Sequence, residues 1–376
     1  MSLIKQAYRL IYYRHERKKF FREIRIRRAQ NKLIKEQYNA DGRNLIIFFV
    51  PGADLFTGKD NISGGVLSIA SLFKETKQLE HVHHAQVIMC TFPQQPLLLK
   101  HLNFQNDITV YRTGLVLNYF RNLEKLTIHV PELFVEQMFL NFSKEEKHSL
   151  RNIPHVHINI LNQNVRLMPK PEIIEALREF AEKVTITTAH NKYCTPDLRK
   201  YYGVPLHHYS TFASPERYTL TPYQQKANLL LLSPDDPVKN DEVQQLMKKE
   251  MPELEVRVIK NLKYEDYKKL ISQARWSITF GEGLDFYFIE PVFSGAISFA
   301  IYNELFFTQP FRNLRTVYGN YSELIRDLPS ALRSLDKEPI YNDLHKREFD
   351  LCADLYSYQR YQDNIRRFYE GNYTYM

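Results

Sequence analysis

Two acids, Glu282 and Glu290, stand with seven residues between them in Gly281-Glu282-Gly283-Leu284-Asp285-Phe286-Tyr287-Phe288-Ile289-Glu290, and Gly295 follows the second by five. A carboxylate can accept two hydroxyls at once, as a ribose or hexose diol presents them. A glycine beside it lets backbone approach a ligand. A helix N-terminus adds free N–H groups and the positive end of a dipole, which suits a diphosphate. Together these are the means to hold a nucleotide sugar. Two unrelated acids near a helix start would show the same spacing, so the flanking elements have to decide.

Those elements favour the ligand. The run 275–280 is apolar and reads as a strand, 286–294 reads as a short helix, and Gly295 suits a helix C-terminus. The run 296–301 reads as the next buried strand. Strand, loop, helix and strand in this order put both carboxylates at the C-terminal edge of a parallel sheet, where open α/β sheets bind ligands.

The segment resembles the E-x7-E signature of the retaining, GT-B-fold glycosyltransferases of family 4. Their pattern is Glu-Gly-Phe-Gly-Leu, a second Glu, and Gly five residues on. Glu282, Gly283, Glu290 and Gly295 match in register. Leu284 and Asp285 stand where Phe-Gly is usual, in a loop that lies beside the sugar ring in the family. The resemblance implies that Glu290 holds the donor ribose, that Glu282 holds sugar hydroxyls near the reacting carbon, and that Gly283, Leu284 and Asp285 border the donor. It also implies retention of configuration without a metal, basic groups and helix dipoles taking the metal's place.

Further positions gain a role from this register. Gly64-Gly65 lies between the first strand and its helix, either as a turn or as the close approach to a phosphate. Lys239 matches the family's phosphate-binding lysine, whereas the arginine five or six residues earlier is replaced by Ser233 and Pro234. His129, in His129-Val130-Pro131, matches a His-x-Pro whose histidine faces the donor sugar. Gln163 and Asn164 end a strand and could bond sugar hydroxyls or cap a turn. His190 and Asn191 end another strand. Asp235-Asp236 is an acidic pair without a second carboxylate cluster at metal-ligand spacing, so no metal is expected.

The chain has 376 residues, 44% hydrophobic and 25% charged, enough for two domains with sizeable cores. Cys90, Cys194 and Cys352 show neither a disulfide framework nor zinc spacing, which favours a reducing cytoplasm. No signal peptide or spanning segment is read from the sequence. The net charge of +8 is concentrated: residues 1–36 hold twelve Lys/Arg and three acids, leaving the remainder near −1. This arm interleaves bases with aromatics and isoleucines and lacks Gly and Pro. It reads as a long helix lying on an anionic membrane surface, or as a solvated helix packed on the domain; no motif supports nucleic-acid binding.

Strand candidates at 44–50, 85–91, 107–111, 125–130, 155–161, 183–188 and 205–210 are followed by 228–232, 255–259 and the glutamate unit. Helical patterns lie at 66–77, 131–141, 171–182, 195–202, 240–250 and 264–273. The expected fold is α/β of GT-B type: a basic helical arm (1–40), an acceptor Rossmann-like domain (41–218), a donor Rossmann-like domain (219–342) facing it across a cleft, and a C-terminal helix (343–376) returning to the first domain. The expected function is transfer of a sugar from a nucleotide sugar to a lipid-linked saccharide, on the cytoplasmic face of a bacterial plasma membrane, in cell-surface polysaccharide assembly. The alternatives are a nucleotide-sugar epimerase of the same fold and a non-catalytic binding subunit.

Overall fold

The computed structural model describes residues 13–51, 64–92, 108–137, 142–210, 213, 215–260 and 262–376. Arm residues 1–12 lie outside the described residues. The chain forms two compact units. The first comprises residues up to Ala189, Tyr193–Tyr209 and Asp363–Met376; the second comprises His190–Lys192 and Ser210–Gln362.

The first unit is built on seven parallel strands in the order β3-β2-β1-β4-β5-β6-β7. In chain order these are β1 (Asn44–Val50), β2 (Gln86–Thr91), β3 (Val110–Arg112), β4 (Lys125–Pro131), β5 (His155–Asn162), β6 (Lys183–Thr188) and β7 (Leu206–His208). The central strands are nearly all apolar because helices cover both faces of a parallel sheet; β1 is buried from Leu45 to Val50. Its helices are α1 (Arg14–Gln37), α2 (Gly64–Gln78), α3 (Glu80–His83), α4 (Thr113–Tyr119), α5 (Lys144–Arg151), α6 (Pro171–Ala176) and α7 (Pro196–Tyr202).

The second unit holds five parallel strands ordered β12-β11-β10-β8-β9. They are β8 (Ala227–Leu232), β9 (Glu255–Val258), β10 (Ala274–Ile278), β11 (Ile297–Ile301) and β12 (Val317–Tyr318). Its helices are α8 (Pro237–Glu250), α9 (Tyr264–Gln273), α10 (Phe286–Phe293), α11 (Tyr321–Leu335) and α12 (Glu338–Tyr356). A last helix, α13 (Tyr358–Tyr369), contains the division between the units at Gln362/Asp363.

The expected helix at 131–141 opens as a 3-10 turn at 132–134 and is helical at 135–137, and 138–141 lie outside the described residues. A further helix, α5, is started by a capping box in which Ser143 and Glu146 bond each other's backbone N–H. Two helical expectations are corrected. The helix at 171 ends at Ala176 and continues as a 3-10 turn. The C-terminal helix is two helices, broken at Ser357. No helix among the described residues is long and apolar enough to cross a membrane.

Candidate functional site

In the second unit, β10 gives way at Thr279 to a loop that starts α10. Asp285 is the N-cap: its Oδ1 accepts from Phe288 N at 3.2 Å, and its Oδ2 accepts from Thr279 Oγ1 at 2.8 Å. Burial pushes this carboxyl up to about 7, and the nearby Asp235 and Glu282 add to the effect. Gly281 is what lets the acids crowd. A Cβ there would sit 3.0 Å from Oδ2 of both Asp235 and Asp285.

Gly283 has φ +90°, and a Cβ on it would meet Phe307 at 2.4 Å and the Ile301 carbonyl at 2.9 Å. The loop can therefore lie flat on the β11 end only with glycine at that position. Leu284, expected to border the donor, has its side chain buried in the core. Between residues 279–283 and the turn 301–304 lies a cavity of about 280 Å³. Glu282 stands half-buried on the same loop.

Glu290, on α10, is 4% exposed. Its Oε1 accepts from the hydroxyls of Tyr218 (2.6 Å) and Tyr264 (2.8 Å), which lie 3.1 Å from each other. Burial raises its carboxyl above the ordinary range, opposed by the hydroxyls of Tyr218, Tyr267 and Tyr264. Sequence reasoning missed this tyrosine cluster, because Tyr218 and the helix bearing Tyr264 and Tyr267 are both distant in sequence from Glu290.

Lys239 is in the first turn of α8. Its Nζ pairs with Asp236 at 2.9 Å and lies 5.7 Å and 5.4 Å from the ring centres of Phe280 and Tyr321. Phe280 belongs to the glutamate loop, so the lysine and the loop are neighbours. Ser233, at the position of the absent arginine, accepts from Phe280 N through Oγ (3.1 Å) and from Asn240 Nδ2 through its carbonyl (2.8 Å). It is a fastener between β8 and the loop and carries no charge. Among the described residues no group of three or more His, Cys, Asp or Glu could hold a metal ion.

In the first unit, α2 begins at Gly64. Gln163 Nε2 donates to the Gly65 carbonyl at 3.0 Å, so two sequence candidates meet at one sheet edge. Asn164 caps a 3-10 turn through its side chain, and its N–H donates to Glu132 Oε1 at 3.0 Å. Glu132 was not anticipated. It follows β4 directly, is buried, and its carboxyl is pushed up to about 7 by burial. Its Oε2 has no hydrogen-bond partner among the described residues. The one sequence signal was an acid immediately after a buried strand.

His129 is corrected as a catalytic candidate. It is buried and stacked on Phe48, with Nε2 2.9 Å from Tyr369 Oη and Nδ1 3.0 Å from Asn159 Nδ2. Both nitrogens are occupied, and burial holds it well below the usual histidine range. His157, lowered to about 3, and His207, lowered to about 4, belong to the same neutral layer under α13. His190 packs against Phe306 in the second unit.

No family model and no curated protein sequence matches the chain. Solved structures do. The Anabaena protein HepE in complex with UDP and glucose is similar at 8% identity and a TM-score of 0.54, over 87% of this chain and 100% of that one. Sucrose-phosphate synthase from Thermosynechococcus elongatus is similar at 10% identity and a TM-score of 0.53, over 88% and 99%. An alpha-glucosyltransferase in complex with UDP-glucose and DNA containing an abasic site is similar at 8% identity and a TM-score of 0.51, over 84% and 96%. At such identities the likeness is one of fold, and the fold of this chain is the GT-B fold of glycosyltransferases.

Proposed function

We propose that this chain is a glycosyltransferase that moves a sugar from a nucleotide-sugar donor to a saccharide acceptor. The observation that carries this reading is the glutamate loop. Glu282, left-handed Gly283 and an Asp285-capped helix surround the end of β10 beside a cavity of about 280 Å³. The fold neighbours support it, since two of them were solved with UDP and glucose or with UDP-glucose.

In this proposal Glu282 bonds the sugar hydroxyls nearest the reacting carbon. Lys239 and the first amides of α10 stabilise the leaving diphosphate electrostatically, with no metal required. Glu290 takes the ribose only by exchanging the hydroxyls of Tyr218 and Tyr264 for those of the sugar. Transfer is retaining, the acceptor is lipid-linked, and the product feeds a bacterial cell-surface polysaccharide.

Stability of the full chain with UDP and UDP-glucose tests the donor site. A ligand at a hundred times its Kd adds about 2.7 kcal/mol. The wild type should shift, and Glu282→Ala and the near-isosteric Glu290→Gln should lose most of that shift. No shift with any nucleotide or nucleotide sugar would sink the reading. One observation favours a second reading, a nucleotide-sugar-binding subunit without turnover: Lys239 is already paired with Asp236, and the acid Asp235 stands close to the loop. Stabilisation by UDP-glucose without UDP release in the presence of acceptor lipids would select it.

A further inference from the structure

Helix α1 has two different sides. Gln30 and Ile34 dock it on the first unit: Ile34 is in the core, and Gln30 Nε2 donates to the Val110 carbonyl at 2.8 Å. Glu23 turns toward the same unit and meets Arg27 at 2.6 Å and Arg112 at 3.6 Å. The outward side is another surface. Arg14, Lys18, Phe21, Arg25, Arg28 and Lys32 follow one another at alternating spacings of four and three, which is one stripe of an α-helix. All six are exposed. At the far end of the stripe Lys32 lies 3.7 Å from Glu36. At about 1.5 Å per residue the stripe is roughly 27 Å long.

Phe21 is 60% exposed in the middle of the cations, and Phe20 and Tyr13 are 37% and 49% exposed nearby. Burying a large aromatic side chain is favourable, so leaving one exposed among bases calls for a partner that is anionic at its surface and apolar just beneath. A phosphate backbone offers only the first of these.

We propose that the outward stripe of α1 is a docking surface for an anionic lipid bilayer, with the cations at the headgroups and Phe21 inserted below them. This does not depend on the transfer reaction; it names the surface on which that reaction would find a membrane-borne acceptor. The docked side of the helix fixes the orientation of the first unit on the bilayer.

The full chain is sedimented with phosphatidylcholine vesicles, with and without a one-third share of phosphatidylglycerol. Binding should require the anionic lipid and weaken steeply with salt. Each surface-adjacent base adds on the order of 1 kcal/mol, so Arg25→Glu/Arg28→Glu/Lys32→Glu should weaken binding about a hundredfold or more. Phe21→Ser should weaken it several-fold with the charge unchanged. All four positions are exposed, so unchanged melting midpoints will separate lost docking from lost folding. Equal binding to both vesicle types, or full binding by the triple variant, overturns the proposal. So does binding to a single-stranded oligonucleotide as tight as to vesicles and indifferent to Phe21→Ser, which would mark a polyanion surface instead.

Discussion

Asp285 links helix geometry to pH. Its carboxyl titrates near 7 in the fold and near its ordinary value when unfolded. An acid whose pKa rises on folding binds more protons in the native state. Stability therefore falls as pH rises from about 4 to about 7 and stays lower above that. Asp285→Asn keeps a capping side chain and removes the titration. The variant should match wild type near pH 4 and exceed it by about 1–2 kcal/mol at pH 8, since a half-buried group realises only part of the full linkage. Urea titrations at the two pH values will read this, and a pH-independent difference would exclude Asp285 as its source. The acids and glycines of this loop were legible in the sequence because they are local in it. The partners of Glu290 were not, since Tyr218 and Tyr264 come from distant segments. His129 misled for the same reason: the side chain that seals it, Tyr369, is 240 residues away.

At the level of elements, α10 is closed at its C-terminal end by a residue with no freedom to vary. Gly295 ends it with φ +94°, and its N–H donates to the Val292 carbonyl. A Cβ there would lie 2.4 Å from the Thr221 carbonyl. Gly295→Ala should cost about 2 kcal/mol or more, from the left-handed backbone and the backbone clash together. Lys226 supports the same corner. Its buried Nζ donates to the carbonyls of Ser272, Ala274 and Ser294 at 3.1, 2.9 and 2.9 Å. Lys226→Met removes all three bonds, though the Ser294 carbonyl keeps another donor, Thr221 N–H at 3.2 Å, and should cost about 2–3 kcal/mol in denaturant unfolding. The strands and most helices could be read from apolar runs, because a parallel sheet imposes them. Helix α5 could have been read from its capping box at Ser143 and Glu146, a local signal that sequence reasoning passed over. The break at Ser357 had no glycine or proline to announce it.

For the whole molecule, the division into units does not follow chain order. Residues 363–376 belong to the first unit, although all of the second unit's β-strands precede them. They supply Tyr369 to His129, the Asn364 carbonyl to His207 (2.7 Å) and Thr374 N–H to the other nitrogen of His207 (3.1 Å). Truncation after Gln362 would strip the neutral histidine layer of these partners. Calorimetry should show the first unit's transition lowered by several degrees or lost, with the second unit's transition retained. A single unchanged transition would show that the C-terminal segment is dispensable.

The outermost described strands of the first sheet are β3 and β7. Gln30 reaches the backbone of one; Tyr375 pairs with Leu206 of the other through two bonds of 2.8 and 2.9 Å. An uncovered strand edge invites pairing with another chain. The chain is made from its N-terminus, so β7 exists before residue 375, and its edge stays open while all of the second unit's strands are synthesised. Through that interval the first sheet carries an exposed edge, and a chain cut short of Tyr375 should keep it.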